Sequence, residues 1–222
     1  MTTYQKAQNS TGKKPLNQPH TIMTIDYKKP TNFKRSLAER IEFLLWATCT
    51  PGKSSAEITP KFNALCVEHS PLDVIRKPIN EIKNILKDYK IGQYTRIAKA
   101  WDSIGKDSIN GQKIASGKFL KHAPRDHFTI IPGLGMKTAS FFVMSTRKWE
   151  EVATLDTHIL KWLAREFPMF EIPKVTPTNK HRYVQVEALF VGAASMLKKR
   201  DGQPYTCAEL DLAIWKEFSN NN

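Results

Sequence analysis

The stretch IIPGLGMKTAS, residues 130–140, gives the strongest indication of the fold. Gly133 and Gly135 flank the apolar Leu134 and stand immediately before an apolar helical pattern. Glycine adopts positive φ angles and lets a backbone approach a ligand closely, and the N–H groups at a helix start attract anions. The stretch therefore predicts a turn between two helices that binds phosphate through backbone amides, with Leu134 packed in the angle between the helices. An ordinary connection between two helices also uses glycines, and the turn alone does not separate the two interpretations.

A lysine and an aspartate follow the turn at a defined spacing. Lys137 falls in the first turn of the new helix, where a cation is unfavourable against the helix dipole. Nineteen residues later, Asp156 stands in the stretch LDTHIL, residues 155–160. Taken singly, Lys137 could be a solvated or phosphate-contacting lysine, and Asp156 could be a helix N-cap. Their joint occurrence after the glycine turn makes them a candidate catalytic pair.

The rest of the chain repeats its apolar residues with the period of a helix, and no convincing alternating strand is present. The chain is therefore expected to be all-α, with about ten helices. The predicted segments are a helix from Phe33 to Thr48, Ala56–His69, a short one at Pro71–Arg76, one after Pro78, Gln93–Ile104, Ile114–His122, a short Arg125–Ile131, Met136–Thr146, Thr157–Phe167, Pro177–Lys198 and Thr206–Phe218.

Composition narrows the class of protein. The 222 residues carry a formal net charge of +13, which favours a polyanionic partner such as nucleic acid. Hydrophobic residues make up 41% and charged residues 25%, as in ordinary globular proteins. There is no apolar run long enough for a membrane span and no secretory signal at the start, so no membrane partner is expected.

The cysteines and the first residues carry two further expectations. Cys49, Cys66 and Cys207 are widely spaced and form no CxxC pair, so neither a zinc site nor a four-cysteine iron–sulfur cluster is expected. They are interpreted as reduced, buried thiols of an intracellular protein. Residues 1–32, rich in Thr, Asn, Gln, Lys and Pro, are expected to form a flexible basic arm. That arm is either a solubilising tail or a segment that lies along phosphates.

Together, IPGLGMKTA and LDTHIL resemble the helix-hairpin-helix DNA glycosylase superfamily, which includes endonuclease III, MutY and the 8-oxoguanine glycosylases. The stretch AELDLAIW, residues 208–215, is similar to the final helix of archaeal-type 8-oxoguanine glycosylases. The absence of a cysteine cluster separates the chain from the endonuclease III and MutY branches. The positions that match the superfamily pattern are Pro132, Gly133, Gly135, Lys137, Thr138, Ala139, Asp156, Thr157 and His158.

The resemblance implies two helical subdomains with an active-site cleft between them. The domain with the hairpin would cover residues 33–149, and a C-terminal helical domain over 150–222 would carry Asp156. Superfamily members that also cleave the strand have a lysine where Lys137 stands. The implied activity is a bifunctional DNA glycosylase and AP lyase of base excision repair, which removes a damaged, oxidised base through a Schiff base on Lys137. Asp156 would assist, and no metal ion or organic cofactor would be required.

The resemblance also assigns residues to DNA. The hairpin would contact DNA through Pro132, Gly133, Leu134, Gly135 and Thr138. Lys53 and Ser54 would contact DNA near the gap left by the flipped nucleotide. The expected partner is double-stranded DNA with a flipped damaged base, bound by a monomer inside the cell, in the cytoplasm and nucleoid or in the nucleus.

Three aromatic residues and one histidine are ambiguous from the sequence. Trp46, Phe141 and Phe142 could stack on the base, although core packing is the simpler interpretation. His158 is expected to orient or pack its helix.

Two alternatives stay open. The chain could be a non-catalytic helix-hairpin-helix DNA-binding protein, or a glycosylase-fold enzyme that acts on another modified base.

Overall fold

The computed structural model describes residues 24–106 and 113–219. Within these ranges the chain forms ten α-helices and one 3-10 helix, and its one β pairing is an isolated bridge between Lys198 and Pro204. The all-α prediction is confirmed. The elements are α1 Leu37–Cys49, α2 Ser55–Glu68, α3 Pro71–Val74, α4 Ile79–Asp88, α5 Tyr94–Gly105, α6 Gly117–His122, the 3-10 helix Arg125–Ile130, α7 Met136–Thr146, α8 Thr157–Glu166, α9 Lys180–Met196 and α10 Cys207–Ser219.

Helix α1 lies at the centre of the fold and packs against α2, α3, α5, α6 and α7. A capping box starts it: the Ser36 hydroxyl accepts the Glu39 N–H at 3.3 Å, and the Glu39 carboxylate accepts the Ser36 N–H at 2.6 Å. Every residue from Arg40 to Cys49 is buried, so the helix is the axis of the hydrophobic core.

The helical hairpin consists of the 3-10 helix, the loop that follows it, and α7. Its first arm is short, as the sequence predicts, because Pro124 stands directly before it. Leu134 is only 4% exposed, in agreement with the expected packing between the two arms. Because α7 packs on both the 3-10 helix and α1, the hairpin is fixed to the central helix.

The last three helices close the other side of the molecule. Helix α10 contacts α8, α9 and α7, so the C-terminal end of the described chain returns to the hairpin. The predicted domain boundary between residues 149 and 150 falls in the loop that joins α7 to α8, and it stays a prediction.

Residues 24–32 depart from the predicted flexible arm, because they are held against the folded body. Ile25 is 4% exposed, and its N–H and carbonyl both hydrogen-bond to the Asn63 side chain at 3.2 Å. The Asn32 N–H donates to the Ser145 carbonyl at 2.9 Å, and Arg35 donates to the Pro30 carbonyl at 2.6 Å. The prediction of a flexible arm is thus wrong for residues 24–32. This polar stretch has only two apolar residues, which are too few to show the periodicity of a packed segment. Residues 1–23 lie outside the described part.

None of the described helices combines the length and the apolar character needed to cross a bilayer.

Candidate active site

A cavity of about 510 Å³ lies where α7, α8 and α10 meet the loop between α1 and α2. Its size falls within the range of about 300–1,000 Å³ that is usual for small-molecule sites. Its lining combines charged groups with aromatic rings, which suits a ligand that is both polar and flat. The residues that line it are Tyr27, Pro30, Trp46, Thr50, Pro51, Gly52, Lys53, Ser54, Ser55, Ala56, Lys137, Thr138, Phe141, Thr154, Asp156, His158, Asp211, Leu212 and Trp215.

Lys137 reaches this cavity from the first turn of α7. The side chain is half-buried, and no described residue forms a hydrogen bond or ion pair with its Nζ. The helix start exposes backbone N–H groups, and a cation beside them gains nothing from the helix dipole. The amine is therefore available to react with a ligand in the cavity.

Asp156 reaches the same cavity from the start of α8. Its Oδ1 accepts the Ile159 N–H at 2.9 Å, so the predicted N-cap is confirmed. A carboxylate has two oxygens and capacity for several hydrogen bonds, so capping leaves room for another interaction. The structure thus brings both predicted catalytic residues onto one cavity.

Helix α9 fixes the segment that leads to Asp156. The Tyr183 hydroxyl donates to the Ala153 carbonyl at 2.6 Å and accepts the Leu155 N–H at 3.3 Å. Glu187 accepts the Ala153 N–H at 2.8 Å. Burial raises the pKa of Tyr183 to about 12, so the phenol stays protonated and can donate. Two residues one helical turn apart therefore hold the backbone immediately before Asp156.

An arginine connects this support to the hairpin that carries Lys137. Arg125, in the 3-10 helix, pairs with Glu187 and also donates to the Ser140 hydroxyl of α7 at 3.2 Å. The Arg125 and Glu187 side chains are only 11% and 7% exposed. Sequence reasoning missed Arg125, Tyr183 and Glu187, and the spacing of Tyr183 and Glu187 along one helix face was the only available signal.

Asp211 is a further titratable residue of the cavity, to which sequence reasoning assigned no role. It lies in α10, whose Leu212 and Trp215 also line the cavity. Burial raises the pKa of the Asp211 carboxyl well above its usual range, and the nearby Asp156 charge raises it further. Lys137 acts in the opposite direction. The rings of Trp215 and Tyr27 pack at a near-right angle with centroids 6.5 Å apart, which joins α10 to the N-terminal segment.

The two glycines of the hairpin differ in conformation. Gly133 has φ +78°, and a Cβ there would lie 2.9 Å from Arg96 Cγ. Gly135 has φ −91°, and a Cβ there would meet nothing within 4 Å. The expected positive φ is therefore found at Gly133 and not at Gly135.

The surface of the hairpin loop faces outward. Pro132, Gly133 and Gly135 are exposed, and no described group accepts the amide hydrogens of the two glycines. Thr138, by contrast, is 8% exposed and faces the cavity, and Leu134 is in the core. The amides of the loop are available to a phosphate, whereas Thr138 and Leu134 are placed differently from their predicted DNA contact.

Lys53 and Ser54 line the cavity. The Lys53 Nζ donates to the Ile91 carbonyl at 2.6 Å and to the Cys49 carbonyl at 3.3 Å, and burial lowers its pKa. Ser54 is exposed and precedes α2 without a side-chain capping bond. Of these two residues, Ser54 has the side chain that is available to contact DNA.

The ambiguous aromatic residues fall into two groups. Phe141 is half-buried and lines the cavity, whereas Phe142 is fully buried and is a core residue. Trp46 also lines the cavity, but it is only 1% exposed and belongs to the core as well. Two buried polar atoms of cavity residues, Thr154 Oγ1 and His158 Nδ1, have no hydrogen-bond partner. Buried polar atoms are nearly always satisfied in native structures, so these two are available to ordered water or to a polar ligand.

Within the described part of the chain, no three His, Cys, Asp or Glu residues are grouped closely enough to hold a metal ion.

Fold and cavity together define an all-α helix-hairpin-helix protein with a lysine and carboxylates in one cleft. Residues 47–199, more than half of the chain, match the sequence model of a family described as 8-oxoguanine DNA glycosylase. The chain belongs to this 8-oxoguanine DNA glycosylase family, and the resemblance inferred from the sequence is confirmed.

Individual relatives agree with the family match. A protein of Thermotoga sp. (strain RQ2) named 8-oxoguanine DNA glycosylase/AP lyase is 26% identical over 147 residues, which cover 66% of this chain and 63% of that protein. The 8-oxoguanine DNA glycosylase of Thermotoga maritima superposes with a TM-score of 0.60 at 21% identity, over 86% of this chain and 84% of that one. The Methanocaldococcus jannaschii 8-oxoguanine glycosylase/lyase, in complex with a 15mer DNA containing 8-oxoguanine, gives 0.58 at 21% identity and covers 84% of each chain. The structural matches establish the fold.

Proposed function

We propose that this protein removes 8-oxoguanine from duplex DNA and then cleaves the strand at the resulting abasic site. The observation that carries the proposal is the shared cavity of Lys137, whose amine has no described partner, and Asp156. The family match supports it, as do the name of the Thermotoga relative and the DNA in the Methanocaldococcus complex.

DNA engagement follows from the hairpin and the charge. The formal charge of +13 attracts a polyanion, and the outward amides of the glycine loop suit one backbone phosphate. Phosphate contacts position the duplex without reading its sequence. Excision requires the damaged nucleotide to leave the base stack, and the cavity offers the flipped base a pocket walled by Trp46, Phe141 and Trp215.

Lys137 is the nucleophile of the proposed reaction. Its unprotonated amine attacks C1′ of the deoxyribose, the bond to the base breaks, and the sugar ring opens to a Schiff base on Nζ. Loss of a C2′ proton and departure of the 3′ phosphate then cleave the strand. Asp156, acceptor-only when ionised, stabilises positive charge that develops on the sugar.

Reductive trapping tests this assignment. A duplex with a single 8-oxoguanine, incubated with the protein and borohydride, is expected to yield a covalent protein–DNA adduct. Lys137→Gln keeps most of the side-chain length but lacks an amine, so it should bind the duplex and trap none. Asp156→Asn should stay folded, since Asn caps a helix about as well as Asp, while its turnover falls by orders of magnitude.

Lys161→Gln, on the exposed face of α8, is the matched control and should trap as the parent protein does. Cross-linking by Lys137→Gln would place the nucleophile elsewhere, and near-normal excision by Asp156→Asn would reduce Asp156 to a helix cap. If the parent protein binds but releases no base, the non-catalytic alternative holds. Release from a different lesion duplex alone would favour the other modified base.

A further inference from the structure

The segment of residues 24–32 borders the cavity and is fixed near both of its ends. Near its start, the Asn63 side chain of α2 bonds the N–H and the carbonyl of Ile25, each at 3.2 Å. At its end, the Asn32 N–H donates to the Ser145 carbonyl of α7 at 2.9 Å. Two residues between these anchors, Tyr27 and Pro30, line the cavity. The segment is therefore a wall of the cavity as well as a cover of the core.

A buried arginine holds the second half of this segment. Arg35 is only 6% exposed, and its guanidinium donates to the Pro30 carbonyl at 2.6 Å and to the Asn32 carbonyl at 3.1 Å. It also donates to the Ser145 carbonyl at 3.0 Å and lies 3.9 Å from the centroid of the Phe43 ring in α1. The wall is thus in place before a ligand arrives, and preorganisation of this kind favours binding.

A tight turn presents the Tyr27 side chain to the cavity. The Lys29 N–H donates to the Asp26 carbonyl at 3.1 Å, which makes Tyr27 the second residue of the turn. The Asp26 carboxylate accepts the Lys28 N–H at 2.9 Å and fixes the turn further. The Tyr27 side chain is half-buried, and its hydroxyl forms no hydrogen bond with any residue that the structure describes. Its free surface faces the cavity, where a ligand can reach it.

The rings of Tyr27 and Trp215 form a corner that suits a flat ligand. Their centroids are 6.5 Å apart and their planes meet at 84°, so a planar base that stacks on one ring presents its edge toward the other. A tyrosine offers a broad contact surface at a low cost in conformational entropy. The exposed Lys28 places its Nζ 5.9 Å from the centroid of the Tyr27 ring, so a cation is close by for the phosphates of a bound strand.

We propose that Tyr27 is a specificity-determining residue, whose ring contacts the flipped base in the cavity. This inference rests on the proposed glycosylase reaction and adds to it a base contact from the N-terminal segment. Tyr27 precedes residues 47–199, the part of the chain that matches the family model, so the contact is inferred from this structure and not from the family match.

Binding to two duplexes tests the contact. One duplex has a single 8-oxoguanine, and the other has a stable abasic-site analogue at the same position, which offers no base. Affinities are measured in the Lys137→Gln background, so that no base is released. Adding Tyr27→Ala should weaken binding to the 8-oxoguanine duplex by about 5- to 100-fold, the range for loss of one contact between a base and an aromatic ring. Binding to the analogue should change by less than about twofold, because the duplex has no base for the ring to contact.

Single-turnover kinetics with the Lys137 amine in place supply a second readout. Tyr27→Ala should raise the half-saturating protein concentration for 8-oxoguanine release, while strand cleavage at a preformed abasic site stays within about twofold of the parent. Tyr27→Phe keeps the ring and should behave as the parent does on both substrates. Trp149→Ala is the matched control, because it removes an aromatic side chain that is 75% exposed and lies outside the cavity lining.

The remaining outcomes each overturn the inference. An unchanged affinity of the Tyr27→Ala protein for the 8-oxoguanine duplex means that the base does not touch Tyr27. Equal losses on the two duplexes make Tyr27 a contact of the DNA backbone or a support of the fold. A loss in Tyr27→Phe as large as in Tyr27→Ala assigns the contact to the hydroxyl rather than to the ring. If the parent protein itself releases no 8-oxoguanine, the proposed function fails rather than the role of Tyr27.

Discussion

Replacing Glu187 by Gln tests whether the contacts of α9 hold Asp156 in its catalytic position. The substitution keeps the side-chain volume and an oxygen that can accept the Ala153 N–H, now found at 2.8 Å from Glu187. It removes the negative charge that faces Arg125. The perturbation is therefore confined to one buried ion pair.

The expected cost follows from the burial of that pair. The Arg125 and Glu187 side chains are 11% and 7% exposed, and removing one partner of such a pair typically costs about 3–5 kcal/mol. The retained hydrogen bond to Ala153 offsets about 1 kcal/mol, so we expect a loss of about 2–4 kcal/mol in unfolding free energy. Typical domains have about 5–15 kcal/mol, so the variant should remain folded at room temperature.

Urea unfolding followed by tryptophan fluorescence measures the stability, and single-turnover excision of 8-oxoguanine measures the function. A loosened segment before Asp156 should lower the excision rate about tenfold, since small displacements of a positioned catalytic group are costly. Glu171→Gln, at a carboxylate that is 97% exposed, is the control and should change neither quantity. In Glu187→Gln, Arg125 keeps only its pair with Asp126, at 3.1 Å, so adding Arg125→Met should restore most of the lost stability.

Two results would refute this reasoning. A Glu187→Gln protein within about 0.5 kcal/mol of the parent would show that the pair contributes little net stability. If the double variant Glu187→Gln/Arg125→Met is no more stable than Glu187→Gln alone, the loss of stability does not come from the Arg125 charge that has lost its Glu187 partner.

Three further predictions use the core, the hairpin and the N-terminal segment. Burial raises the pKa of Glu42 to about 7 from an ordinary 4.5, so its stabilising contribution is present at low pH and is lost as pH rises through about 7. Above that pH, urea unfolding should therefore show Glu42→Gln to be more stable than the parent by about 2–3 kcal/mol. If the variant is no more stable, the Glu42 carboxyl is in contact with water in the folded protein. Gly133→Ala should lower the unfolding free energy by about 1–2 kcal/mol because residue 133 has a positive φ, whereas Gly135→Ala should have little effect. An equal loss of unfolding free energy in the two variants would contradict the conformations assigned to these glycines. Deleting residues 1–23 removes three lysines and no acid and, if that segment touches DNA, should reduce the salt slope of binding by up to about 0.9 per lost phosphate contact. Deleting residues 1–32 should also lower the melting temperature and the excision rate, and equal behaviour of the two deletions would deny any role to residues 24–32.

Local signals account for what could be predicted from the sequence. The glycine turn, the Pro124 limit on the hairpin and the Asp156 cap each depend on a few neighbouring residues, and the apolar period marks each helix separately. The family motif supplied the pairing of Lys137 with Asp156, which periodicity alone could not. Their catalytic roles stay predictions.

The sequence by itself therefore determined the all-α class, the hairpin and the two candidate catalytic positions, because each rests on local backbone preference or on a motif of fixed spacing. Only the tertiary structure decided that Asp211 and Tyr27, 184 residues apart along the chain, belong to the same cavity as Lys137. It also decided that Arg125 and Glu187 support the segment before Asp156. Contacts of this kind join side chains from distant elements, and neither partner carries a local pattern that marks it.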